Sequence, residues 1–375
     1  TQGWRCSGAF AAGLVTLGTH HPARRPHSKP KMKLLILAQI PPPLHGQSLM
    51  VRTAVEGLPA HGVELELVNL RLSRSAADIG GWRAGKVLAI LDACFHAVIA
   101  RFASGCDTLY YVPAPGKRGA LYRDWLVMLL VRPFYRRFVL HFHNGGLGVW
   151  LAERATAAER GLTRGLLGRA DAAALGARTI AVVPNGIADL CVAGPEVPRE
   201  RDTILYLGSV SADKGVPALL AAVRLARARR PGLRLILAGE IEPAMTAELA
   251  AFDREQPGVL TCIGFVRGAR KAEWLARAGC LCLPTRYAHE AQPLVALEAL
   301  AAGCPVVASA WRGLPETLPP GSILFPPGDA PAIADALVRV TDSPPEPEEL
   351  RAHFRSHFTL AAHLRRLADV LHALG

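Results

Sequence analysis

Residues 33–40 read KLLILAQI, an apolar run with the length of one β-strand. A run without a polar face is typical of a strand that is buried on both sides, as in the parallel sheets of α/β proteins. Residues 203–207, which read TILYL, restart the pattern in the second half of the chain. A helix-like stretch follows each run. The sequence therefore predicts an α/β fold of two Rossmann-like domains that face each other across a cleft.

Strands and helices alternate along both halves of the chain. Further strands are predicted at residues 63–68, 108–112, 138–142, 179–183, 233–238, 259–263, 280–283 and 306–308. Helices are predicted at residues 47–55, 121–130, 216–226, 271–277, 294–301, 348–357 and 360–374.

The length of 375 residues suits two domains. A turn signal at residues 184–186 (PNG) opens a connector that contains Pro, Gly and Glu and runs to residue 201. We therefore predict a first domain at residues 32–187 and a second at residues 202–345. Helices follow at residues 346–375, and we expect the last of them to pack back on the first domain.

The composition excludes several classes of protein. Half of the residues are hydrophobic, which rules out a disordered chain, although the basic residues 1–31 are predicted to be a disordered leader. The net charge of +12 suits anionic ligands or an anionic membrane surface. Aromatic residues make up only 6% and do not alternate with basic ones, so nucleic acid is not the expected partner.

The apolar runs bear on membrane contact. No uninterrupted run reaches the ~18–20 residues of a spanning helix, so we expect a cytoplasmic protein. Residues 119–138 combine Trp125 and Phe134 with several arginines, a pattern typical of a helix that lies on anionic lipid at the inner membrane face. An ordinary packed helix that ends in basic residues is the alternative.

No metal site or other cofactor is predicted. The eight cysteines form no C-x-x-C pair and no zinc-type spacing with His, so we interpret them as small buried apolar residues. His141 and His143 are two residues apart, which would place both rings on one face of a continuing strand and leave a two-His metal site open. Because an Asn-Gly-Gly turn follows, we expect the ring of His143 to swing toward the cleft while His141 packs.

Residues 287–305, YAHEAQPLVALEALAAGCP, contain the most informative chemistry. Glu290 lies in a loop after a predicted strand, and Glu298 lies eight residues later in a helix that begins near Pro293. Two carboxylates on either side of a bound diphosphate can accept hydrogen bonds from sugar hydroxyls. Carboxylates that only stabilise the helix dipole are the alternative. The N–H groups that would make the helix start a phosphate site are those of Gln292, Leu294 and Val295.

Two loops that contain glycine complete the candidate site. Lys214 precedes Gly215 in the loop after the strand at 203–207, where a cation can reach phosphates. A solvated surface lysine is the alternative. Gly46 follows the first strand and allows the backbone to approach an anionic group closely, although a simple tight turn would also use glycine.

In combination these motifs resemble the retaining glycosyltransferases of family 4, which have the GT-B fold. The resemblance rests on Glu290-x7-Glu298 with the following ALAAGCPVV, on Gly208 with Lys214-Gly215, and on residues 183–186. It extends over about residues 33–374. It is strongest in the second half, where three more motifs match in order: GFV at 264–266, GLPE at 313–316 and PPGD at 326–329.

The resemblance implies that the first domain binds the acceptor and the second the nucleotide-sugar donor. Glu290 would contact the donor sugar, and Glu298 would hold the ribose hydroxyls. Lys214 would neutralise the diphosphate leaving group, and His143 would face the transferred sugar and the acceptor. The other donor-binding positions that the resemblance implies are Gly46, Gly208, Ser209, Phe265, Val266, Gln292, Pro293, Leu294 and Val295.

Two departures from the family pattern bear on activity. Ser209 stands where members commonly carry Arg, so one of two usual cations is missing unless another basic group such as Arg286 replaces it. Residues 167–183 are shorter than usual, which would leave the first sheet one strand short.

The resemblance predicts a retaining, metal-independent hexosyltransferase. Its donor would be a nucleotide-diphosphate sugar, UDP in preference to GDP, and its acceptor a glycan or lipid-linked molecule in cell-surface polysaccharide synthesis. A sugar-nucleotide epimerase of the same fold is one alternative. The two departures motivate another, a degenerate protein that binds nucleotide sugars without catalysis.

Overall fold

The computed structural model describes residues 32–42, 46–70, 84–113, 118–143, 146–167, 181–189 and 198–374. The chain forms two compact units, which divide between Val183 and Pro184. Within the described ranges, the first unit contains residues 32–183 and 363–374, and the second contains residues 184–362. The turn at residues 184–186 therefore belongs to the second unit rather than to the first.

The first unit contains a four-stranded parallel sheet in the order β2-β1-β3-β4. Its strands are β1 (Met32–Ala38), β2 (Val63–Asn69), β3 (Thr108–Tyr111) and β4 (Arg137–Leu140). Its helices are α1 (Gly46–Gly57), α2 (Ala84–Ser104), α3 (Arg118–Leu130), α4 (Gly146–Glu153) and α5 (Ala157–Leu167), with most of α13 (Leu360–Ala373).

Strand β1 lies between two apolar cores. Leu34 and Ile36 face one core, which also contains Leu371 of α13, whereas Leu35 and Leu37 face the other. All four strand residues are fully buried. Because side chains alternate across a strand, a run that is apolar at every position satisfies both faces of the sheet. The interpretation of residues 33–40 as a strand buried on both sides is confirmed.

The second unit contains a six-stranded parallel sheet in the order β10-β9-β8-β5-β6-β7. Its strands are β5 (Glu200–Leu207), β6 (Arg234–Ala238), β7 (Leu260–Cys262), β8 (Ala278–Leu283), β9 (Val306–Ser309) and β10 (Leu324–Phe325). Its helices are α6 (Val216–Arg229), α7 (Thr246–Glu255), α8 (Gly268–Arg277), α9 (Leu294–Ala301), α10 (Leu314–Thr317), α11 (Ala330–Asp342) and α12 (Pro347–His357).

The cysteines follow the prediction with one exception. Five of the six described cysteines are buried, and Cys280 and Cys282 lie on the same face of β8 and pack into the same core. Cys262 is exposed at the end of the edge strand β7, which contradicts the expectation for that residue. Its strand has a sheet neighbour on one side only, so its final residues are less covered.

Two predictions for residues 167–183 are not confirmed. Residues 181–183 do not form a strand, and the rest of the predicted strand at 179–183 lies outside the described residues. Most of the segment at 167–183, where a deletion was inferred, also lies outside them.

Helix α2 is long and apolar enough to be tested as a membrane-spanning helix, although no uninterrupted apolar run in the sequence reaches that length. Residues 85–104 have a mean hydropathy of 1.7, and by length and composition alone they pass that test. Asp92 and Arg101 interrupt the apolar sequence but do not interrupt the helix. One face of α2, which includes Ile90 and Ala97, packs into the core of the first unit. On the opposite face Leu88, Phe95 and Phe102 are 68%, 63% and 71% exposed.

Candidate functional site

Three loops meet at one edge of the sheet in the second unit. They follow the adjacent strands β5, β8 and β9 and contain residues 208–215, 284–293 and 310–313. Strands β6 and β7 lie on one side of β5, and β8, β9 and β10 lie on the other, so the strand order changes direction between β5 and β8. Ligands of open parallel sheets bind outside the carboxyl ends of the strands at such a switch point. This edge is therefore the candidate functional site.

Glycine allows these loops to pack closely. Gly215 has a φ of 79°, and a Cβ added to it would lie 1.9 Å from the carbonyl oxygen of Pro284. A Cβ added to Gly313 would lie 2.3 Å from the carbonyl oxygen of Ala291. Both distances are too short for any side chain, so the loops after β5 and β9 approach the loop after β8 only because glycine stands at the two contacts.

Lys214 and Glu290 form an ion pair between the first two loops. The Lys214 Nζ donates to Glu290 Oε2 at 2.6 Å, and the hydroxyl of Thr285 donates to the same oxygen at 3.3 Å. The ring centre of Tyr287 lies 4.5 Å from Nζ. The Lys214 side chain is 26% exposed, and the Glu290 side chain is 14% exposed. The structure thus brings two of the predicted catalytic residues together in a largely desolvated position that a ligand can still reach.

Glu298 lies on α9 and forms a second ion pair with Lys271 of α8, about as exposed as the first. Its other oxygen, Oε2, is buried and has no hydrogen-bond partner among the described residues. Burial raises the pKa of Glu298, and the Lys271 ammonium opposes this shift. A buried carboxylate oxygen without a donor can accept a hydrogen bond from a ligand hydroxyl. Lys271 is not among the predicted site residues, because its distance of 27 residues from Glu298 gives no local signal.

Helix α9 begins at Leu294, as predicted, but the place of Pro293 differs from the prediction. Pro293 has extended backbone and is the N-cap rather than a member of the first turn. Within the described part of the chain, the N–H groups of Leu294 and Val295 have no backbone acceptor, whereas that of Ala296 donates to the carbonyl of Pro293. Free N–H groups at a helix start bind anions because the helix dipole is positive there. The predicted phosphate position is thus structurally available.

The side chain and the backbone carbonyl of Gln292 form hydrogen bonds with the turn at residues 184–186. Its side-chain oxygen accepts from the Asn185 N–H at 2.7 Å, and its carbonyl accepts from the Asn185 side chain at 3.3 Å. Asn185 therefore fastens the turn to the loop that contains Glu290. The sequence predicts a turn here and a motif of the family resemblance, and the structure adds a positioning contact.

The remaining predicted donor positions in the second unit differ in their surroundings. Gly208 and Ser209 directly follow β5, and the Ser209 side chain is exposed. The Ser209 carbonyl accepts a hydrogen bond from the Tyr206 hydroxyl at 2.6 Å. Phe265 follows the edge strand β7 and is 69% exposed, whereas the side chain of Val266 packs into the core. Of the latter two, only Phe265 offers its side chain to a ligand.

Gly46 and His143 belong to the first unit, and their part in donor or acceptor binding stays a prediction. Gly46 is the exposed first residue of α1. The expectation that the ring of His143 swings away from His141 is wrong, because the two ring centres lie 4.0 Å apart. The ring of His141 also forms a hydrogen bond with the Tyr110 hydroxyl. Burial lowers the pKa of His141 well below 6.5, and the neighbouring imidazoles act in the same direction.

Among the residues that the structure describes, no group of three or more His, Cys, Asp and Glu side chains is arranged to hold a metal ion.

The sequence of the second unit is similar to a family of known proteins. Residues 201–343 match the family described as Glycosyl transferases group 1. Over 169 residues the chain is 32% identical to the MMP α-(1→4)-mannosyltransferase of Mycolicibacterium hassiacum, and the match covers 44% of this chain and 40% of that protein. The chain therefore spans about two fifths of the length of this curated relative.

Solved structures resemble both units. Sucrose-phosphate synthase from Thermosynechococcus elongatus superposes with a TM-score of 0.69 over 90% of this chain and 98% of its own, at 19% identity. HepE from Anabaena, crystallised with UDP, has a TM-score of 0.66 over 91% and 100% of the two chains, at 17% identity. At such identities the likeness shows the fold alone. With the two parallel sheets, it confirms the predicted GT-B fold of two Rossmann-like domains.

Proposed function

We propose that the protein is a retaining glycosyltransferase that moves a sugar from a nucleotide-diphosphate donor to a glycan or lipid-linked acceptor in cell-surface polysaccharide synthesis. UDP is favoured over GDP because HepE was crystallised with UDP. The match of residues 201–343 and the mannosyltransferase relative support the transferase activity. The retaining course, the absence of a metal requirement and the acceptor class rest on the resemblance to family 4.

One observation carries the proposal. The Lys214–Glu290 pair, the free N–H groups at the start of α9 and the unpaired oxygen of Glu298 belong to the loops after β5 and β8 and to α9, at one sheet edge. This arrangement offers positive charge to a diphosphate and carboxylate oxygens to the hydroxyls on either side of it. A nucleotide sugar has these groups in this order.

The chemistry follows from the charges that develop. The bond between the anomeric carbon and the phosphate breaks, the acceptor hydroxyl oxygen forms the new bond, and its proton leaves with the phosphate. Negative charge grows on the leaving diphosphate, where Lys214 and the amides of Leu294 and Val295 stabilise it. Glu298 holds the ribose, and Glu290 holds the donor sugar once the phosphate has drawn Lys214 away from it. Positioned groups of this kind lower the barrier without reorganising during the reaction.

The test is to incubate the full chain with a panel of UDP- and GDP-sugars and measure the products. Slow donor hydrolysis, with release of UDP or GDP, is expected of the transferase. Conversion of one nucleotide sugar into another would instead identify an epimerase. Binding without turnover would identify a non-catalytic binding protein, the alternative that Ser209 favours.

We also propose that an anionic membrane surface binds the outer face of α2, which brings the first unit to lipid-linked acceptors. Of the predicted membrane-contacting residues 119–138, Trp125 packs inward and its indole donates to Thr163, whereas Phe134 is exposed. The apolar face of α2 ends at Phe102, whose ring lies 6.1 Å from that of Phe134. Arg101 donates to the Phe134 carbonyl at 3.0 Å, and three more arginines lie at positions 132, 136 and 137. Exposed aromatic residues beside basic ones are suited to an anionic interface.

Vesicle flotation tests this contact with the full chain. We expect binding to vesicles that contain phosphatidylglycerol, weaker binding to neutral vesicles, and loss of binding in the Phe95→Asp, Phe102→Asp double variant. Leu225→Asp, on an exposed apolar position of α6, is the matched control. Equal flotation of the double variant and the control would contradict the proposal, as would self-association or binding of residues 1–31 on this face.

A further inference from the structure

Arg312 adopts a backbone conformation that favours glycine. Its φ is 52°, and among the described residues no other non-glycine residue has a positive φ. The N–H of Leu314 donates to the carbonyl of Trp311 at 3.2 Å, and the intervening Gly313 has a φ of −80°. This combination is typical of a type II′ turn, whose first central position favours glycine. Strained residues of this kind cluster at ligand sites, where the surrounding structure holds them in place.

The turn is fixed against the loop that contains Glu290. The N–H of Gly313 donates to the Ala291 carbonyl at 3.2 Å, and the Trp311 indole donates to the Tyr287 carbonyl at 2.9 Å. The same Tyr287 places its ring against the Lys214 ammonium. Contacts of the neighbouring residues, and not of the Arg312 side chain, therefore hold this turn against the loop that contains Glu290.

The Arg312 side chain has a stacking contact but no counter-ion among the described residues. Its guanidinium carbon lies 4.9 Å from the centre of the Trp311 ring. The Nε atom is buried and makes no hydrogen bond to a described residue. A half-buried cation without an acceptor loses hydration and gains little in return. Lys214, in contrast, is paired with Glu290. The surroundings of Arg312 are thus suited to the binding of an anionic ligand.

We propose that Arg312 binds the diphosphate of the donor and supplies the positive charge that Ser209 does not. This inference rests on the proposed function. Strand β8 lies between β5 and β9, so the loops of Lys214 and Arg312 flank the loop of Glu290 from opposite sides. A guanidinium can donate to two phosphate oxygens at once, which suits a diphosphate better than a point charge does. Arg286, the other candidate replacement, is exposed.

The experiment compares UDP affinity by calorimetry in the full chain and in three variants. Arg312→Gly restores the residue that the turn favours, so we expect an unchanged or higher melting temperature together with at least tenfold weaker UDP binding. Arg312→Gln keeps most of the side chain without its charge and should weaken binding similarly. Arg286→Gln is the matched control and should stay within twofold of the wild type.

A second step tests the relation to Ser209. Adding Ser209→Arg to Arg312→Gly should restore most of the lost affinity if the two positions serve the same phosphates. Wild-type affinity in both Arg312 variants, or equal losses in these and in Arg286→Gln, would overturn the inference and leave the proposed function intact. Failure of the wild-type chain to bind UDP and GDP would overturn both.

Discussion

Replacement of Lys214 by methionine removes the ammonium but keeps the length of the side chain. At an effective dielectric constant of about 20, the attraction across 2.6 Å is about 6 kcal/mol before desolvation. The cost of removing water from Lys214 and Glu290 offsets the greater part of this attraction. Because both side chains remain partly exposed, solvent weakens the attraction further. We therefore expect the variant to lose about 1–3 kcal/mol of folding stability, because Glu290 keeps only the Thr285 hydroxyl.

Turnover should fall much further than this stability loss alone would produce. Loss of one preorganised group that stabilises a developing anion costs about 10²–10³ in kcat, or about 3–4 kcal/mol. The assay is release of UDP at saturating donor, with chemical denaturation of the same samples. The Lys214→Met, Glu290→Gln double variant should recover stability, since no unpaired carboxylate remains, but not turnover.

The outcome that would refute this reasoning is equally specific. A Lys214→Met protein with reduced stability and wild-type kcat would show that Lys214 is only a structural partner of Glu290. Arg224→Met is the control, because it breaks a pair of similar length, 2.7 Å to Glu255, on the surface of α6. It should change stability by less than about 1 kcal/mol and leave turnover unchanged.

Three further predictions concern other parts of the chain. Glu298→Gln should weaken UDP binding about 10–100-fold by calorimetry, because a charged acceptor for the ribose hydroxyls is lost; unchanged affinity would exclude that role. Gly215→Ala should lower the free energy of unfolding, measured by urea denaturation, by about 2–5 kcal/mol, because backbone strain and the contact with Pro284 both oppose a Cβ. Gly258→Ala is the control: its φ is 74° but no atom lies within 4 Å of the added Cβ, so it should cost only about 1–2 kcal/mol. Equal losses in the two variants would contradict the packing argument. Because burial lowers the pKa of His141, its ring stays neutral in the folded protein while the unfolded chain takes up a proton as the pH falls through 6.5. The free energy of unfolding should therefore decrease below that pH, and His141→Gln should make the decrease smaller. Identical pH profiles of the two proteins would show that another group is responsible.

The parts of the fold that sequence predicts well are those with a strong local pattern. The strand at 33–40 and the helix at 294–301 are found at or within two residues of their predicted bounds, because apolar runs and a leading proline mark them. Helix α11 is absent from the predicted elements, although Asp329 caps it by accepting from the Ala332 N–H at 3.0 Å. That capping residue, followed closely by a proline, was the signal that could have identified the helix.

The candidate site is only partly predictable for a different reason. The pairing of Lys214 with Glu290 depends on two loops that the order of strands brings together, and motif order suggests their shared role but not their contact. Lys271 and Arg312 have no local signal. The first depends on the packing of α8 against α9, and the second on a turn conformation that a sequence does not display.

The central claim is that a nucleoside diphosphate binds at the carboxyl edge of the second sheet, and a crystal structure of the full chain with saturating UDP tests it most directly. We expect the diphosphate within hydrogen-bond distance of the Leu294 and Val295 N–H groups, the ribose on Glu298, and the Lys214 ammonium turned from Glu290 toward phosphate. Nucleotide bound at another position, or no nucleotide at this edge, would contradict the account.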